Sequence, residues 1–205
     1  MILEKGYMYH IYNQGNNQRK IFFKRDNYLF FLKKINTHLK PYADILAWCL
    51  MPNHFHLMVL ILEEEIVVDN THPVTLSHGV SKIRTINDSI GILLRSYTRA
   101  INKQENFTGK LFREKTKAEC LNCPNGTTPN FFIEKGGSSI NIQNSEKQYP
   151  QVCFNYIHQN PVEATLVSAE TDYEFSSARD YAGIRDGKLI NKDVAFEYIE
   201  YKINC

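Results

Sequence analysis

No stretch of this chain approaches the roughly 20 consecutive apolar residues that a membrane span needs, so no membrane partner is expected. The opening MILEKGYMYH lacks the long apolar core of a secretory signal, which places the expected location in the cytoplasm. Cysteine is scarce: the five present are an odd number and fit reduced thiols better than a disulfide framework. Cys120 and Cys123 form a CxxC with no second pair, a weak basis for zinc. Excess charge is also missing. A formal net charge of +2 does not by itself mark a nucleic-acid binder. No internal repeat is visible.

The chain does have apolar material. Over 205 residues, 43% are hydrophobic and 12% aromatic, enough for a real core in one domain. The organisation expected is a domain over residues 1–181, interrupted by an insertion at about 121–149, and a helical extension over 182–205. The insertion is dense in Asn, Gly, Pro and Ser. Charge is unevenly placed. Between residues 82 and 117 nine basic residues (Lys82, Arg84, Arg95, Arg99, Lys103, Lys110, Arg113, Lys115 and Lys117) face three acidic ones, Asp88, Glu105 and Glu114. The remainder is therefore acidic.

Patterning divides the chain into elements. YMYHIYN (7–13) alternates like a strand and GNN follows as a turn. DNYLFFLKKINTHLK (26–40) offers Asp26 as an N-cap and spaces Leu29, Leu32, Ile35 and Leu39 as in a helix that Pro41 ends. ADILAWCL (43–50) and HFHLMVLIL (54–62) are strands joined by MPN as a hairpin. Residues 63–75 read as a polar connection, 81–103 as a helix, 109–118 as a basic edge strand, and 150–160 as a helix limited by Pro161. Strand, helix, strand, strand, helix, strand is the βαββαβ pattern of a ferredoxin-like α+β fold, an antiparallel sheet with helices on one face. In it the second arm of the hairpin is central.

That arm carries the anomaly. His54 and His56 are two apart and so share one face of the sheet. Alone, such a pair is more often structural than metal-binding. NYIHQNP (155–161) changes the balance, because Tyr156 and Asn160 are four apart and share a helix face. Two imidazoles and an amide oxygen form a three-ligand set with open positions, suited to Mg²⁺ or Mn²⁺ holding a phosphate. Tyr156 beside it is a candidate nucleophile. Equally, Tyr156 and Asn160 suit a core aromatic and a helix cap. Tyr97 is a second candidate nucleophile, but its i+4 neighbour is Ile101 and offers no ligand. His158 projects from another face, His10 reads as outer or structural, and His38, His72 and His78 as surface or loop residues. Arg95, Arg99, Lys103, Lys110, Arg113, Lys115 and Lys117 form a candidate DNA-backbone groove, with Tyr97, Phe107 and Phe112 as stacking aromatics.

Taken in order, MPNHFHLMVL, LLRSYTRAINKQ, TGKLFREKTKA, NYIHQNPVEATLV and DYEFSSARDY resemble the single-tyrosine HUH transposases, in particular the branch of REP-associated tyrosine transposases. The resemblance runs from about Tyr9 to Tyr181, apart from most of 121–149. It implies that His54 and His56 are HUH metal ligands, Asn160 the polar third ligand, and Tyr156 the catalytic tyrosine. The activity implied is metal-dependent cleavage and transfer of single-stranded DNA through a 5′-phosphotyrosine, with hairpin DNA as partner. Relatives commonly have arginine where this chain has Gln14. Alternatives are a rolling-circle replication initiator or relaxase, a hairpin-binding protein that does not cut, and a metal hydrolase using water. A monomer and a homodimer are both compatible with the resemblance.

Overall fold

The computed structural model describes residues 2–68, 82–123 and 149–201. Most of the expected insertion, with His72 and His78, lies outside them. The principal sheet contains β1 (Met8–Gln14), β2 (Ala43–Met51), β3 (His54–Ile61) and β6 (Lys117–Cys120) in the order β2-β3-β1-β6, all neighbours antiparallel. The fold is therefore mixed α+β with β3 and β1 in the centre. A second sheet pairs β4 (Glu65–Val68) with β5 (Lys82–Thr85), where a polar connection and a helix start were expected.

Strand alternation separates two cores. Phe55, Leu57, Val59 and Ile61 of β3 join Ile11, Ile45 and Leu50 on one face. That face is covered by α1 (Arg25–His38) and α2 (Ile86–Glu105), through Phe31, Ile35, Ile90, Leu93 and Tyr97. Met58 of β3 points to the opposite face with Met8, Leu46, Cys49 and Met51, where α3 (Tyr149–Glu163) packs through Cys153, Phe154 and Ile157. A bulge between Ile45 and Ala47 shifts β2 by one residue, so Leu46 and Ala47 both serve the second core. Because the side-chain period is two, a one-residue slip would exchange the faces and bury the histidines against α1.

Several boundaries depart from the sequence pattern. Helix α1 starts at Arg25, with Asp26 inside its first turn; Asn27 Oδ1 accepts from the Phe23 and Lys24 backbone N–H groups. Its buried stripe is Tyr28, Phe31 and Ile35, whereas Leu29 stands 41% exposed. Helix α2 begins at Ile86, capped by Thr85 and Asp88, whose side chains exchange bonds with each other's backbone N–H. The fourth strand is limited to 117–120. Upstream, the chain meets β1 again at a bridge between Gly15 and Phe112, where Arg113 N donates to Gln14 O, and Asn13 Nδ2 donates to Arg113 O and Thr116 Oγ1 between that bridge and β6. Pro161 lies inside α3, which continues to Glu163 because the Ala164 N–H still reaches Asn160 O.

The C-terminal region contains α4 (Ala178–Tyr181) and α5 (Lys192–Phe196). It clamps α3 onto the sheet. Tyr181 donates its hydroxyl to Leu46 O at 2.6 Å and sets its ring against Phe154 at 4.8 Å. Ser177 Oγ accepts from Trp48 N and lies 2.7 Å from His158 Nε2. Buried Asp180 is paired with Arg185 at 2.7 Å. Contrary to the expectation of reduced thiols, Cys120 and Cys123 are joined in a disulfide at the end of β6, where the turn brings their Cα atoms to 5.8 Å. Cys49 and Cys153 are free and buried. Among the described residues no helix is long and apolar enough to cross a membrane.

Candidate active site

The tight MPN turn between β2 and β3 places His54 at the first position of β3, opposite Gln14 of β1, and His56 opposite Tyr12. Their rings stand edge to face with centroids 4.9 Å apart. Helix α3 crosses the same face and presents Tyr156 with its ring 5.3 Å from that of His56. One turn later Asn160 Oδ1 comes within 3.0 Å of His54 Nε2. The two widely separated motifs thus meet at one place. The pocket there has a volume of about 230 Å³, and its lining includes Tyr12, Gln14, His54, His56, Arg113, Lys115, Lys117 and Tyr156.

Burial controls the charge state of the cluster. Desolvation lowers the pKa of His54, and it lowers that of His56 well below the ordinary value, with His54 and His10 adding to the effect on His56. His10, fully buried on β1, is held at about 3 by desolvation. All three imidazoles are therefore neutral at pH 7, the form that coordinates metal. For Tyr156, burial raises the pKa and a hydrogen bond from Asn160 opposes the rise. A phenol in this setting does not ionise unaided at neutral pH.

The atoms facing one another suit a cation. His54 Nδ1 lies 2.7 Å from Asn53 Oδ1 and Nε2 lies 3.0 Å from Asn160 Oδ1, both acceptors, so a neutral ring can donate to only one of them; with the proton on Nδ1, Nε2 carries a lone pair. That lone pair faces the Asn160 oxygen, and two acceptors at this separation repel unless something positive lies between or beside them. His56 Nε2 is buried with no hydrogen-bond partner among the described residues. No group of three or more His, Cys, Asp or Glu residues is placed to hold a metal among the described residues, so a three-ligand set here depends on the amide of Asn160.

A search of solved structures finds a chain described as the REP-associated tyrosine transposase bound to a REP hairpin, with a TM-score of 0.55 and 14% sequence identity, covering 100% of this chain and 92% of that one. The chain has the fold of a REP-associated tyrosine transposase. No family model and no curated protein matches it by sequence.

Within that transposase fold the expected DNA-contacting residues divide. Arg113, Lys115 and Lys117 are exposed at the pocket beside the histidines. Arg95, Arg99, Lys110 and Arg113 line a second groove, of about 580 Å³, between α2 and residues 109–116. Arg113 borders both. Lys103 is exposed but lines neither. Tyr97 is buried, with its hydroxyl donated to Ile21 O at 2.7 Å, and Phe112 is 6% exposed, so neither is available to stack on a base; Phe107, at 38%, is. His158 is committed to Ser177.

Sequence reasoning missed Asn53, Tyr12 and Glu119. Tyr12 donates to Glu119 Oε1 at 2.6 Å beside the histidines. Alternation along β1 could have placed Tyr12 on the histidine face. Glu119 depended on knowing that β6 pairs with β1, a long-range register that local patterning does not contain.

Proposed function

We propose that this protein cleaves and rejoins single-stranded DNA by transesterification at Tyr156. The observation that carries the reading is the meeting of Tyr156 with His54 and His56 in one open, basic-rimmed pocket, with Asn160 Oδ1 3.0 Å from His54 Nε2. The strand order β2-β3-β1-β6 is read as ferredoxin-like, with α3 as the catalytic helix on the face left open by α1 and α2.

Tyr156 Oη attacks the phosphorus, forming a phosphotyrosyl ester with the 5′ side of the break. The bond from phosphorus to the 3′ oxygen breaks, and that oxygen leaves as a 3′-hydroxyl after taking up a proton, while the tyrosine proton passes to solvent. Attack by a second 3′-hydroxyl on the ester reverses these bonds and joins new strands. One ester replaces another throughout, so no nucleotide cofactor is consumed. His54, His56 and Asn160 would hold Mg²⁺ or Mn²⁺, which when bound polarises the phosphate oxygens. The Asn160 amide steadies the developing phenolate, since its hydrogen bond favours the charged form of Tyr156. Arg113, Lys115 and Lys117 anchor the backbone, and Arg95, Arg99 and Lys110 extend the track along the second groove. The transposase of the same fold is described with a REP hairpin, which supports a hairpin with single-stranded flanks as the DNA partner here.

The test is a denaturing-gel assay with single-stranded DNA from the flanks of the protein's gene, with Mn²⁺ or with chelator. A metal-dependent covalent adduct that disappears in Tyr156→Phe is expected. An adduct that survives in that variant would overturn the assignment of the nucleophile, and DNA binding with no adduct under any metal would mark a binding protein.

A further inference from the structure

The two histidines expected to hold the cation are each tied at Nδ1 by a different neighbour. We propose that Asn53 and His10 are positioning residues that fix the tautomer and orientation of the His54 and His56 rings so that both Nε2 atoms are offered to a divalent cation; the inference rests on the reading of this pair as ligands.

For His54 the restraint is local. Asn53 Oδ1 lies 2.7 Å from His54 Nδ1, and the orientation of the amide is set because Nδ2 is directed at Gln18 O, 3.5 Å away. The turn carrying Asn53 is itself pinned: Gly15 N donates to Asn53 O at 2.7 Å, and Ile21 and Phe22 N donate to Pro52 O. A side chain on so constrained a turn can hold a ring in place.

For His56 the restraint is long-range. His10 Nε2 lies 2.9 Å from His56 Nδ1, and the rings stack with centroids 5.0 Å apart and planes at 23°. With the His56 proton on Nδ1, donated to His10, the Nε2 atom, which has no partner among the described residues, is left with its lone pair for the cation. Histidine ligands usually give this proton to a carboxylate, a carbonyl or water. A neutral imidazole accepts it without adding negative charge beside a site that must admit a phosphate. The same contact excludes His10 as a third ligand through Nε2, since that nitrogen is already committed to His56.

The experiment is isothermal titration of the full chain with Mn²⁺, circular dichroism confirming the fold of each variant. Wild type should bind, and His54→Ala should lose binding. Asn53→Leu and His10→Phe, which remove the acceptor while keeping bulk, should weaken Mn²⁺ about 10–100-fold. Asn53→Asp and His10→Gln, which restore an acceptor, should recover most of that loss, a rescue that packing alone would not give. If Asn53→Leu and His10→Phe bind as wild type does while His54→Ala does not, the positioning roles are wrong and the ligand reading stands. Wild type that does not bind, or His54→Ala that binds equally, removes the ligand reading and this inference with it. Should His10→Phe fail to fold, the two variants at half-buried Asn53 decide the matter.

Discussion

The two faces of one sheet are put to opposite uses. On the α1 and α2 face, β3 contributes Phe55, Leu57, Val59 and Ile61 to a sealed apolar layer containing Phe31 and Tyr97. On the α3 face the alternate residues are His54, His56 and Met58, and one end of that layer opens into a pocket. The same eight-residue strand thus anchors the fold on one side and displays imidazoles on the other. The comparison teaches that burial alone does not mark the site: on the α3 face His158 Nε2 is tied to Ser177 at 2.7 Å, whereas His54 and His56 face a pocket. His56 Nε2 is one of several buried side-chain atoms unmatched among the described residues, and it is the one whose residue lines that pocket.

This division is open to direct challenge by substitution. The largest effect expected is on chemistry: His54→Ala should reduce adduct formation by about 100-fold or more, as loss of metal-assisted charge stabilisation worth several kcal/mol implies. Its urea midpoint should stay near wild type, because His54 is only half-buried. Next, Phe31→Ala on the sealed face should destabilise the protein by about 3–5 kcal/mol in urea unfolding, through the cavity it leaves. Substantial loss of stability from His54→Ala, or little from Phe31→Ala, would break the contrast.

Smaller effects sharpen it. Ser177→Ala should cost about 1–3 kcal/mol, since Trp48 N and His158 Nε2 both lose a buried partner. Adduct yield should fall as well if the Ser177 tether is what fixes α3, and unchanged kinetics would show that Tyr181 and Phe154 suffice. Smallest is the expected effect of Arg113→Ala, which should lower the slope of log affinity for DNA against log salt by about 1 without changing which sequence is bound. A slope equal to wild type would remove Arg113 from the backbone track.

The legible parts of the sequence were those with local signals. Period-two alternation in MYHIYNQ and HFHLMVLI gave the central strands, and the His-Phe-His and Tyr-to-Asn spacings gave three side chains that line the pocket and a fourth, Asn160, in contact with His54. The phase of α1 was misread because Leu29 and Tyr28 are both large and apolar, and only packing against Phe22 and Phe175 selects Tyr28. The extent of β6 was misread because the stretch before it meets β1 through a bridge from Gly15 to Phe112 and side-chain bonds from Asn13, a hundred residues away, rather than through a continuous ladder. Tyr97 and Phe112 looked like stacking aromatics beside basic residues, yet Tyr97 falls on the buried stripe of α2 with Ile90, Leu93 and Ile101, and Phe112 is buried beside the end of β1. The fastening of α3 by Ser177 and Tyr181 was equally hidden, since nothing local in FSSARDY names its partners on β2.

The measurement closest to the central claim is peptide mapping by mass spectrometry of the covalent adduct formed on a single-stranded oligonucleotide in Mn²⁺. The account requires the nucleotide-bearing peptide to span Gln151 to Glu163, with the mass increment localised to Tyr156 and the released strand ending in a 3′-hydroxyl. Attachment to Tyr12 or Tyr97, or a released strand carrying a 3′-phosphate, would contradict it.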